Sequence, residues 1–142
     1  MERLWKNTGK PKKIGTRKNK VMELNEINYN FSICKVKDFS QINLNDEYCF
    51  VGKTDEENSL VCITENVPNN VVARDDGWKA FRIQGSLDFA LTGILAKISM
   101  ILAENDIGIF AISTYNTDYI LTKEENYFKA LEVLSDAGYK VI

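Results

Sequence analysis

The sequence predicts an α+β fold, antiparallel sheets with helices on one face, and three observations point to it. Leu91, Ile94, Leu95, Ile98, Ile101 and Leu102 recur every three or four residues, which places one apolar stripe on a helix. Ile107, Ile109 and Ala111 alternate with Gly108, Phe110 and Ile112, an apolar run expected of a strand buried on both faces. From Trp78 onward the elements follow the order β-α-β-β-α-β, the split βαβ plan.

Each element has a local reason. Residues 29–36 read as a strand, followed by a short helical turn near 38–42. Residues 47–53 and 59–64 read as a hairpin closed by the acidic turn Thr54-Asp55-Glu56-Glu57-Asn58. Residues 65–70, with Pro68 and three asparagines, form a loop or one helical turn. Asp75-Asp76-Gly77 is expected as a turn of solvated carboxylates, with a strand over 78–84. The main helix is expected over 92–105, and strands over 107–113 and 118–122 flank Thr114-Tyr115-Asn116-Thr117. A second helix over 123–137 carries Glu124 and Glu125 at its positive end. Its apolar side is Tyr127, Phe128, Leu131 and Leu134, and Gly138 is its C′ residue. Residues 139–142 are the last strand. The earlier half repeats strand, short turn, hairpin and a reduced second helix, so the chain reads as two related units, the first degenerate.

Composition narrows the chemistry. A chain of 142 residues suits one domain or two small fused units. No apolar run is long enough to cross a bilayer, and the basic start lacks the apolar core of a secretory signal. A cytoplasmic protein with no membrane partner is expected. Histidine is absent, which removes Ser-His and Cys-His nucleophiles, His-ligated zinc and the usual neutral-pH base. Cys34, Cys49 and Cys62 form no C-x-x-C pair and lie in apolar strand-like runs, so they are expected buried and unpaired. Residues 1–20 carry eight Lys/Arg and one Glu (8 − 1 = +7), the remainder ten cations and nineteen carboxylates (10 − 19 = −9). The basic stretch over 1–22 is expected as a disordered tail. It reads either as an arm for polyanions or as an upstream extension, the second favoured because Met22 begins a sequence able to stand alone. The acidic surplus elsewhere argues against nucleic acid as a partner. With no Walker loop, G-x-G-x-x-G or EF-hand spacing and no converging base, nucleophile or metal cluster, a non-enzyme without cofactor or metal is expected.

What remains is a site for a small charged molecule. A free amino acid needs N–H donors for its carboxylate and oxygen acceptors for its ammonium. A helix opened by Thr92-Gly93-Ile94-Leu95 offers the donors, and Gly93 lets a ligand approach the backbone. Asp88 and Asp118 supply negative charge, and the hydroxyls of Ser113 and Thr114 stand where a strand leaves the core. Each has a plainer role available: Gly93 in close helix–sheet packing, Asp88 as a cap, Asp118 as a turn carboxylate, Tyr115 as a surface side chain.

The run Thr92–Thr114, TGILAKISMILAENDIGIFAIST, is similar to the core of ACT domains, small ligand-binding modules of amino-acid metabolism. The following STYNTDYIL resembles the variant found in short tandem-ACT bacterial proteins and the CASTOR arginine sensors. One departure is Thr92, where many ACT domains carry proline before the helix glycine; Thr92 still serves as a cap. The resemblance implies tandem ferredoxin-like (βαββαβ) ACT units, over 23–76 and 77–142. It further implies an effector site at the helix-start loop, Leu91 to Ile94, and at the edge from Ser113 through Tyr115 to Asp118, closed by a strand of a neighbouring unit. The expected function is a sensor or regulator binding a small amino acid or similar zwitterion, a homodimer being one assembly in view. The rival reading is an oligomerisation module with a vestigial pocket.

Overall fold

The computed structural model describes residues 21–84 and 93–142. The expectations for the tail over 1–20 and for Asp88, Leu91 and Thr92 lie outside the described residues. Strands β1 (Glu23–Val36), β2 (Cys49–Lys53), β3 (Asn58–Ile63), β4 (Val71–Ile83), β5 (Phe110–Ser113), β6 (Asp118–Lys123) and β7 (Lys140–Val141) form a seven-stranded sheet. Its order is β2-β3-β1-β4-β6-β5, with β7 paired to β1. All pairs are antiparallel except β1–β7. Two helices, α1 (Ile94–Glu104) and α2 (Glu124–Asp136), pack on one face. The fold is α+β, as the periodicities indicated.

The two halves share their sheet through the long strands β1 and β4. Leu24 pairs with Ile83 on one side and Val141 on the other, so β1 lies between β7 and β4. Alternation along each strand divides the apolar residues between two faces. Phe81, Ile83 and Ile120 meet Ile98 and Leu102 of α1 and Tyr127, Ala130, Leu131 and Leu134 of α2. Cys34, Val36, Leu60 and Cys62 are covered on the same face by Phe39, Ile42 and Val67, short segments standing where helices would. Ala80, Leu121, Phe31 and Val61 point to the opposite face. That face is buried because the sheet curls. β2 and β6 are four strand spacings apart, roughly 19 Å if the sheet were flat. Yet the rings of Phe50 and Tyr119 stand 5.1 Å apart.

The hairpins β2–β3 and β5–β6 correspond residue for residue at a constant offset (110 − 50 = 60; 118 − 58 = 60). Phe50 pairs with Val61 as Phe110 pairs with Leu121, and Lys53 with Asn58 as Ser113 with Asp118. Both turns are closed by a threonine N–H, Thr54 to the Glu57 carbonyl at 3.0 Å and Thr114 to that of Thr117 at 2.9 Å. β3 and β6 even bury the same three positions, Leu60–Cys62 and Ile120–Thr122.

Several local expectations need correction. Asp75 and Asp76 do not form a turn: they lie inside β4, where register shifts against β1 between Phe31↔Trp78 and Ile33↔Asp75. The extra residue is absorbed by Gly77 at φ 82°, a left-handed position that glycine tolerates. Nor are these carboxylates simply solvated. Asp75 accepts from Lys123 Nζ at 2.6 Å and Asp76 from the buried Ser32 hydroxyl and Arg74. The run from Ile107 becomes strand only at Phe110, and Ala111 is exposed, because β5 pairs with β6 alone among the described strands. Phe128 is 81% exposed: Tyr127, Ala130, Leu131 and Leu134 already complete the inward stripe of α2. The turn near 38–42 is not helical, and the reduced second helix is one 3-10 turn, Thr64–Asn66.

Two predictions follow from this packing. The hydrogen bond from Lys123 holds the Asp75 carboxyl, and that from Ser32 the Asp76 carboxyl, below the usual range. A depressed folded pKa contributes stability that is complete above the unfolded value, near ~3.9, and is lost as pH falls through the folded one. Asp76→Asn should therefore flatten the acid limb of the stability profile below about pH 4 in urea titrations. For the thiols, Cys34 and Cys62 are buried as expected, but Cys49 is half-buried because it opens the outer strand β2. Burial raises all three pKa values, that of Cys62 to about 12. Thiol labelling of native protein should be slow, Cys49 leading, and complete for all three in denaturant.

Candidate functional site

β4 ends at Ile83, antiparallel β6 begins at Asp118 beside it, and α1 starts at Gly93 after the connection from β4. Topology thus brings the α1 start and the β5–β6 turn to one end of the sheet. Gly93 occupies the N-cap of α1 at φ 81°, and its carbonyl accepts from Lys97 N–H at 2.9 Å. A Cβ there would meet no described residue within 4 Å. Among the described residues close packing does not explain this glycine; its left-handed backbone does.

The two helices differ electrostatically at their starts. α2 has Glu124 and Glu125 in its first turn, whereas α1 has no acidic residue there. The partial positive charge of α1 is left uncompensated by its own first turn, and its first N–H groups have no acceptors within the helix. That is the requirement for holding an anion.

Across the hairpin, Ser113 is directly opposite Asp118. Directly opposed residues share a face, and alternation puts Asp118 on that of Ile120, the helix side. Asp118 is half-buried and has no salt bridge to a described residue. Thr114 is committed to the turn, its hydroxyl donating to the Thr117 carbonyl at 2.9 Å. Tyr115 projects from the tip of the hairpin, 91% exposed. Ile94 packs its side chain against the core, so only its backbone faces the site. The structure therefore brings Gly93, Ile94, Ser113 and Asp118 to one end of the sheet.

Sequence reasoning missed Thr117. Its buried hydroxyl donates to the Ile83 carbonyl at 2.7 Å and ties the hairpin to the end of β4. The matching position in the first half is different. Asn58, counterpart of Asp118, donates its side-chain amide to the Lys37 carbonyl at 2.9 Å, closing that end with the protein's own groups. A carboxylate at the same position cannot donate and instead needs a donor. Among the described residues no group of three or more His, Cys, Asp or Glu is placed to hold a metal, and no helix is long and apolar enough to cross a membrane.

Residues 73–136 match the family model of the ACT domain. No curated protein matches the chain. Among solved structures, protein Atu0741 from Agobacterium tumefaciens is 28% identical, with 87% of this chain and 93% of that one covered at a TM-score of 0.76. VC0802 from Vibrio cholerae, titled a possible transport protein of unknown function, is 20% identical over 81% and 88% at 0.61. The regulatory subunit of aspartate kinase from Thermus thermophilus is 12% identical over 77% and 93% at 0.53. At such identities the last two likenesses concern the fold alone.

Proposed function

We propose that the chain is a non-catalytic regulatory module that binds a small amino acid or similar zwitterion. The observation carrying this reading is the start of α1, with no acid in its own first turn and no described residue within 4 Å of a Cβ at Gly93, on the same end of the sheet as a half-buried aspartate without a salt bridge to a described residue. The ligand carboxylate takes the N–H groups following Gly93, and its ammonium takes Asp118 with help from the Ser113 hydroxyl. Asp88, Leu91 and Thr92 complete the loop in this reading, and Thr114 and Tyr115 shape its rim. The ACT match over residues 73–136 supports a regulatory role.

The same reading divides the chain into an ACT-like unit over 23–76, reduced and self-closed by Asn58, and an ACT domain over 77–142, preceded by a basic tail. The constant offset of the hairpins supports that division, and the reading places the chain with the tandem family that includes the CASTOR sensors. A homodimer, in a cytoplasmic setting, supplies a neighbouring strand to close the site. The half-exposed outer strand β5, with Phe110, Ala111 and Ile112, favours such assembly, and assembly alone is the second reading. A thermal-shift screen against the amino acids separates them. Ligand at a hundred times its dissociation constant stabilises by about 2.7 kcal/mol, a shift of several degrees. No shift with any amino acid would leave assembly as the function.

A further inference from the structure

A second recess lies part-way along β1 and β4, under the start of α2. β1 and β4 are in register at Ile27↔Ala80 and again at Phe31↔Trp78, so three residues of β1, Asn28 to Asn30, oppose Lys79 alone. The bulge pulls β1 away from the ladder where the first turns of α2 cross the sheet. The result is a cleft of about 240 Å³ lined by Glu26, Ile27, Asn28, Lys79, Tyr127 and Phe128.

Its chemistry is not that of an accidental gap. Glu26 pairs with Phe81, and Lys79 is two residues from Phe81 on the same strand, so both charged side chains rise on the helix face. They line one cleft with opposite charge, yet no salt bridge joins them. The Tyr127 hydroxyl donates to the Ala80 carbonyl at 3.0 Å and stands beside the Glu26 carboxylate, so it forms one wall of the cleft. Phe128 stands over the opening with 81% of its surface in water, an unusual state for a phenyl ring that nothing in α2 requires. A cation on β4, a carboxylate and a carboxamide on β1 and an aromatic ring from α2 around one cleft describe a receptor for a small dipolar molecule with an apolar group. The volume suits a single amino acid and falls below the ~300–1,000 Å³ of drug-sized sites.

We infer that this cleft is a second ligand site, distinct from the α1 start, for a zwitterion bearing an aromatic or aliphatic side chain. The carboxylate is held by Lys79 and the Asn28 amide, the ammonium by Glu26, and the side chain lies on Phe128.

L-phenylalanine is the probe, with 3-phenylpropionate, which lacks the ammonium, and 2-phenylethylamine, which lacks the carboxylate, as matched controls. Titrated into the full-length ¹⁵N-labelled chain, L-phenylalanine should give saturable shifts at the amides of Glu26, Asn28, Lys79 and Phe128. Each control should bind about tenfold more weakly or worse, since each forfeits one charge-assisted contact. Lys79→Gln and Glu26→Gln should each weaken binding about tenfold or more with the spectrum otherwise retained, while Asp118→Asn should leave it intact. Absence of saturable shifts, shifts confined to the α1 start and the β5–β6 turn, or equal binding of all three probes would overturn the inference. Because the controls compare ligands on unaltered protein, the result does not depend on how any variant folds. The Asp118→Asn arm separates a failure here from a failure of the proposed function.

Discussion

Phe81→Ala is expected to destabilise the protein by about 3–5 kcal/mol, the range for deleting a fully buried phenyl ring. Phe81 is fully buried near the C-terminal end of β4, opposite Glu26 of β1 and Ile120 of β6. Its ring belongs to the cluster that joins both helices to the sheet, Ile98 and Leu102 from α1 and Leu134 from α2. Truncation leaves a void that two strands, both paired on their other sides, cannot close by moving together. Urea unfolding should show a lower midpoint at unchanged slope, the signature of lost stability without a changed unfolded state. Phe128→Ala, at the exposed face of α2, should stay within about 0.5 kcal/mol. Equal effects at the two positions would mean that α2 is turned the other way.

The second large effect concerns binding. Asp118→Asn preserves shape and removes charge, so it should weaken binding of the amino acid found by the thermal screen about ten- to a hundredfold. That corresponds to the roughly 1.5–3 kcal/mol of one charge-assisted hydrogen bond. The fold should be unaffected, because Asp118 has no salt bridge to a described residue and its hairpin is held by Thr114 and Thr117. Calorimetry on wild-type and variant protein measures the ratio directly. Equal affinities would remove Asp118 from the site.

Regular periodicity made most of the fold legible. The α1 stripe was read correctly at Ile98 and Leu102, which are fully buried, while Ile94, Leu95 and Ile101 are only partly so. Neither the intercalation of β1 between β7 and β4 nor the curl joining Phe50 to Tyr119 has a local signal, since both arise from pairing far along the chain. Asp75-Asp76-Gly77 misled because glycine after two acids marks a turn and a strand bulge alike. At the site, the glycine and the carboxylate were visible as residue types. Thr117 was not, because its role is a hydrogen bond to Ile83, thirty-four residues away. The difference between Asn58 and Asp118 gained meaning only when the hairpins proved equivalent.

The location of the ligand is the claim on which the functional account stands, and amide chemical-shift mapping tests it most directly. The amino acid that raises stability most in the thermal screen should, on titration, move the backbone amides of Ile94, Leu95 and Ala96 together with those of Ser113 and Asp118, all saturating at one dissociation constant. Stabilisation by an amino acid that leaves these amides unmoved would contradict the account and place regulation elsewhere on the protein.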